Sequence, residues 1–159
     1  ISTVLWKMLI RRSLFSYFKI TPHVDIVEDY IISVKLYFYA NSFAVVDKYM
    51  YHYVQYNEAR VSFQTLRSIT NHIKGVKEVE EFLKTKELIT PNISNLFNLR
   101  KFNIKSNFLT KNMFDIQAYR TTFPEADKAW RQIDYSRNEK IKFWLAEKKI
   151  YFILRLICK

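Results

Sequence analysis

A single glycine, Gly75, serves all 159 residues, where average usage would supply roughly ten. Glycine provides the positive-φ turns and the close backbone approach on which phosphate-cradling loops depend. A chain nearly without it has no room for a dinucleotide-binding fingerprint or a P-loop. Only three prolines interrupt it, so long helices are favoured. Hydrophobic residues make up 49% and aromatics 17% of the chain, which supplies a core and excludes a disordered composition.

The apolar spacing predicts mostly helix. Val27, Tyr30, Ile31, Val34, Tyr37 and Phe38 recur at intervals of three and four, which reads as a helix over residues 25–40. Pro22 precedes it, and Asp25 with Glu28 has the spacing of a capping box. Residues 43–47 and 49–54 are rich in aromatic and β-branched side chains and read as two short strands or one bent one. Residues 62–88 return to a helical pattern that Gly75 is placed to interrupt, and Thr90-Pro91 stops it. A second helical stretch covers 93–118, with Asn103, Ser106 and Asn107 as breakers. Pro124 suits the first turn of a short helix ending near Ile133, and 138–158 reads as a last helix. The expected class is α+β, mainly α, with a short β segment near 43–54 and a helical C-terminal bundle. The expected division is residues 1–61, then 62–159.

The net charge of +11 is unevenly spread. Residues 1–24 carry four basic groups and no acid, whereas 25–61 carry three basic and five acidic. Residues 137–159 carry seven basic groups and two acids. Such a chain favours anionic partners: nucleic acid, lipid or phosphorylated substrates. No nucleic-acid motif accompanies the charge, and no nucleic-acid partner is expected. The single cysteine, Cys158, excludes an internal disulfide and suits a reducing compartment. The start shows no secretory-leader pattern.

The segment from Thr3 to Ser62 holds the informative constellation. Trp6 and Lys7 are followed by the pair Arg11-Arg12. Glu28-Asp29 then opens a helix. Residues 43–47 follow, then Tyr51-His52-Tyr53, and Ser62 lies beyond. In this order and at these distances the segment resembles the second half of bacterial family 2 glycosyltransferases. Those enzymes show a tryptophan-x-lysine segment with a basic pair, an acidic pair at a helix start, a strand and a tyrosine-x-tyrosine. The resemblance covers the first third to two fifths of the chain.

That resemblance implies an A-type glycosyltransferase fold and inverting transfer from a nucleotide-sugar to a saccharide or lipid-linked acceptor, as in polysaccharide biosynthesis at the cell envelope. It implies Asp29 as general base with Glu28 beside it. It also implies Lys7, Trp6, Arg11 and His52 as substrate-binding residues. Inverting transfer needs a carboxylate that takes the acceptor proton, and a first-turn carboxylate is kept ionised by the helix dipole. First-turn acids are equally at home as plain capping groups. Arg11 and Arg12 equally suit a solvated basic face, and Trp6 a place in the core. Tyr51 and Tyr53 alternate with His52 along a strand, and a lone histidine there is ordinarily structural. His23 and His72 have no partner at metal-ligand spacing.

The family's donor half carries an aspartate-x-aspartate metal motif. Here Asp25, Asp29, Asp47, Asp115, Asp127 and Asp134 are never two apart. The chain is therefore expected to be the acceptor side alone, inactive by itself and binding no cofactor or metal. Magnesium or manganese is expected only with the full-length enzyme. The surface that would meet the donor half implies self-association. Residues 138–159 mix apolar and basic side chains too briefly to span a bilayer, and a peripheral membrane contact is expected there. The expected location is the cytoplasm, at the inner face of the membrane. The competing reading is a basic helical module that binds nucleic acid or a protein partner.

Overall fold

The computed structural model describes residues 4–20, 27–48, 50, 52 and 65–158. Among them the chain forms six α-helices: α1 (Glu28–Tyr39), α2 (Leu66–Thr85), α3 (Pro91–Lys105), α4 (Ile116–Thr121), α5 (Arg137–Glu147) and α6 (Tyr151–Ile157). Short 3-10 turns fill the connections, two of them before α1 at Leu5–Lys7 and Arg12–Ser16.

Side chains start four of the helices. The hydroxyl oxygens of Thr65 and Thr90 accept from the amides of Ser68 and Ile93, satisfying orphan donors of α2 and α3. The Asp115 carboxylate does the same for α4. At α5 the Ser136 hydroxyl and the Glu139 carboxylate bond each other's backbone amides, a full capping box.

The helix ends show how the chain manages without glycine. After α2, Glu87 N–H donates to the Lys84 carbonyl and Leu88 N–H to the Leu83 carbonyl. After α5, Lys149 N–H donates to Ala146 and Ile150 N–H to Leu145. Both are Schellman endings, which ordinarily place glycine at the left-handed position. Here Glu87 (φ 56°) and Lys149 (φ 60°) occupy it, with the steric cost of a Cβ in that region.

α2 is the central element. It packs against α1 on one side and α3 on another, and α3 carries the 3-10 turns Pro124–Ala126 and Ala129–Gln132. One core runs from Val27 and Ile31 through Ile69, Val76, Phe102 and Tyr119 to Phe143 and Leu154. Phe102, Tyr135 and Phe143 meet edge to face within it.

Three buried lysines stitch these layers together. Lys35 of α1 bonds Glu78 of α2 at 2.7 Å. Lys101 of α3 bridges Glu80 of α2 at 2.7 Å and Glu125 at 2.8 Å. One turn on, Lys105 is fully buried and donates to Asp127 and to the Phe123 carbonyl at 3.1 Å. Burial works against both charged amines. At Lys101 the hydrogen bonds it donates to two carboxylates outweigh burial and raise the pKa, whereas at Lys105 the bond to Asp127, with Glu125 nearby, does not, and the pKa falls.

Several expectations need correction. The mainly helical class holds, but no strand forms among the described residues. Residues 43–47 are neither helix nor strand, with Phe43, Val45 and Val46 exposed. Extended chain becomes a strand only by pairing, and no partner stands beside it among the described residues. Of residues 49–54, only Met50 and His52 are described. α1 starts at Glu28 with Val27 as N-cap and no side-chain cap bond, and Asp25 lies outside the described residues. Gly75 does not break α2. The helix expected over 138–158 is two helices, divided at the left-handed Lys149. The proposed boundary at residue 61 falls outside the described residues.

Replacing Glu87 or Lys149 by glycine should stabilise the fold, since only the Cβ penalty is removed. Each of Glu87→Gly and Lys149→Gly is expected to gain about 0.5–1 kcal/mol after glycine's own entropic cost. That gain raises Tm by roughly 1–4 °C for a chain of this size. A lowered Tm for both variants would mean that the two side chains make compensating contacts.

Candidate functional site

The acidic pair occupies the first turn of α1. Val27 contributes no side-chain cap; its backbone carbonyl accepts from the amides of Tyr30 and Ile31 at 3.1 and 3.2 Å. Glu28 is exposed and Asp29 half-buried. Neither carboxylate has an ion-pair or hydrogen-bond partner among the described residues. Asp29 is therefore not locked in a closed structural pair.

The position of this turn is set by Gly75. A Cβ at Gly75 would stand 2.7 Å from Val27 Cγ2, 3.3 Å from Val27 Cβ and 3.7 Å from Ile31 Cδ1. The one glycine thus lets the residue preceding the acidic pair settle directly on the α2 backbone. Val27 and Ile31 are buried there, and the turn carrying Glu28 and Asp29 is fixed between them.

Behind Asp29 lies a polar cluster from three helices. The Arg100 guanidinium of α3 sits 3.8 Å from the centre of the Tyr30 ring, close enough for a cation–π contact. Its Nε is buried without a hydrogen-bond partner. Burial raises the Tyr30 pKa, Arg100 opposes that rise and Glu80 adds to it. His72 of α2 is buried, and its pKa is lowered first by burial and then by Arg100. Tyr30, His72 and Arg100 were invisible as a group in the sequence. Forty-two residues separate Tyr30 from His72, and only the packing of α1 and α3 on α2 joins them.

The remaining expected site residues are less drawn together. Trp6 and Lys7 lie in the Leu5–Lys7 turn, which packs beside α1. Both are exposed, and the Lys7 ammonium stands 4.9 Å over the Trp6 ring. Trp6 is thus a surface ring rather than a core residue. Arg11, Arg12 and His52 are exposed. No ion pair joins Lys7, Arg11 or Arg12 to Glu28 or Asp29 among the described residues. The chain after Arg12–Ser16 is held at the far end of α1, where Tyr17 and Phe18 stack on Tyr39 at 5.3 and 6.0 Å. Asp29 and Tyr39 are ten residues apart, about 15 Å of helix. Tyr51, Tyr53 and Ser62 lie outside the described residues. Among the described residues no three His, Cys, Asp or Glu side chains converge as a metal ion requires, and no helix is long and apolar enough to cross a membrane.

No family model matches the chain, and no curated protein or solved structure matches it. The likeness to family 2 transferases rests on the residues quoted above.

Two measurements probe this region. Gly75→Ala gains about 1 kcal/mol of helix propensity but forces a methyl into Val27, an overpacking cost of about 1–3 kcal/mol. A net loss is expected in urea unfolding, and the loss from Gly75→Ala should be smaller when measured in a Val27→Ala background, because the two sites share the clash. His72 is held neutral in the fold, so the unfolded chain binds the extra proton first. Stability should therefore rise with pH up to about 6.5 and fall below it. His72→Gln should flatten that slope below about pH 6.5.

Proposed function

We propose that this chain forms the acceptor side of an inverting family 2 glycosyltransferase, with Asp29 as general base. In that reaction an acceptor hydroxyl attacks the anomeric carbon of a nucleotide-sugar. The nucleoside diphosphate leaves from the opposite face, and the hydroxyl proton passes to the carboxylate. The observation that carries the reading is the state of Asp29: half-buried, in the first turn of α1, and without a structural ion pair. A base must begin ionised and unengaged. Glu28, more exposed on the same turn, adds negative charge rather than taking the proton.

The surface of the first fifty residues supports the same reading. Leu9, Tyr17, Ile20, Phe43, Val45, Val46 and Met50 are all exposed. So much apolar surface on one part of a chain marks a face that meets something else. In this reading that face meets a donor-binding unit, or a second copy where the donor unit is lacking. Lys7, Trp6, Arg11 and His52 are exposed on the same part and are assigned to the donor diphosphate and the saccharide. Magnesium or manganese belongs to the donor unit. The reading carries a cytoplasmic location, at the inner face of the membrane.

Calorimetric titration of the chain with a nucleoside diphosphate, with and without magnesium or manganese, should give no binding. Micromolar, metal-dependent binding would overturn the division of roles. In a transferase assembled from this chain and a donor-binding half, Asp29→Asn should lower the transfer rate by about 10²–10⁴-fold. The acceptor KM should change little, and Glu28→Gln should cost less. An Asp29→Asn protein that transfers at the full rate removes Asp29 from the chemistry.

A further inference from the structure

α6 is apolar on two opposite sides, and only one of them is covered. Leu154 and Cys158 face the core and are buried. Phe152, Leu156, Ile153 and Ile157 occupy one continuous arc of about 140° on the other side, at about 100° per residue. They are 76%, 69%, 40% and 52% exposed.

The rim of that arc is basic and unneutralised. Arg155 projects from α6 itself, Lys148 and Lys149 form the turn leading into it, and Arg120 comes from α4; all four are exposed. None makes an ion pair among the described residues. The nearby acids are already engaged. Glu147 accepts from Arg131 at 2.6 Å and from the Trp130 indole at 3.0 Å, Glu139 closes the α5 capping box, and Asp115 caps α4. Between α4 and α6 opens a cleft of about 400 Å³, lined by Arg120 and Arg155 with Gln117, Tyr151 and Phe152.

We propose that α6 docks on an anionic membrane surface, with Phe152 and Leu156 entering the acyl boundary and the Arg120–Arg155 cleft receiving a lipid phosphate. The juxtaposition is that of an interfacial helix: an apolar arc with cations at its edge. Juxtamembrane basic groups draw a surface toward anionic lipid. A second copy is a poorer occupant. Two-fold pairing would set Arg155, Lys148 and Lys149 against their own images, with no unengaged acid to meet them. A large protein partner is also a poorer fit. The exposed arc is four side chains on about 10 Å of helix, far fewer than the roughly 20–30 residues a side of a stable interface. The inference does not use Asp29 and stands apart from the transferase reading.

The test is co-sedimentation of the full chain with vesicles of phosphatidylcholine alone and of phosphatidylcholine mixed with phosphatidylglycerol. The chain is expected to pellet with the mixed vesicles only, and less so at high salt. Two surface variants, Phe152→Ser with Leu156→Ser and Arg120→Gln with Arg155→Gln, should each weaken binding about tenfold or more. Circular dichroism checks that both remain helical. Equal binding to neutral vesicles, or undiminished binding by either double variant, overturns the proposal. So does displacement from vesicles by low-millimolar inorganic phosphate, which would make the cleft a soluble-anion site. Binding to polyglutamate without binding to vesicles would assign the surface to an acidic protein instead.

Discussion

The α2–α3 interface depends on charge buried where a helical protein ordinarily places leucine. Lys101 and Lys105, one turn apart on α3, reach Glu80 on one side and Glu125 and Asp127 on the other. Removing the carboxylate partner of such a buried ammonium leaves an uncompensated charge and destabilises the fold. Replacing a whole pair by apolar residues can cost nothing. What the pairs supply is register. An apolar ridge tolerates sliding, but an ammonium held between two carboxylates does not. The segment 123–127 has little secondary structure of its own, and its Phe123 is in the left-handed region. Its place against α3 is fixed by Lys101 and Lys105 and by the burial of Phe123 and Ala126.

Register on α2 and α3 passes to α1 through several contacts, two of which bear directly on the acidic turn. The Lys35–Glu78 pair fixes the middle of α1. The Val27–Gly75 approach fixes its start. Both act on one face of α2, where Gly75 and Glu78 lie three residues apart and so on neighbouring positions. The acidic turn is thereby set by two points on a single rigid helix. Any function that needs Asp29 at a defined height gains from that construction, because a side chain on a packed helix is held more accurately than one on a loop.

The sequence made the helical class legible because apolar spacing of three and four survives in α1 and α2, and because Thr90-Pro91 is a strong local signal. The breaks were harder. A Schellman ending is easy to see when glycine marks it, and Lys149 and Glu87 give no such mark. The run Phe43 to Asp47, with one aromatic and two β-branched side chains, matched strand propensity, but propensity does not supply a partner. Glu28 and Asp29 were legible as a helix start. The Tyr30, His72 and Arg100 cluster was not, since its members share no spacing within one helix and meet only after α1 and α3 have docked. Gly75 was read as an interruption because glycine lowers helix propensity. Its role lies in what approaches it from another helix, which local sequence does not contain.

For a carboxylate at the start of a helix, the forces that hold it ionised also weaken it as a base. A helix start favours negative charge in its first turn, which is where Asp29 sits. Desolvation acts the other way and raises the basicity of a carboxylate, because it acts against the charged form; water still reaches the half-buried Asp29. Nothing among the described helices covers it fully, and the exposed apolar side chains of the first fifty residues offer a surface on which a second unit could close. Under the transferase reading, assembly would therefore do more than bring donor to acceptor: it would also raise the basicity that the helix start withholds.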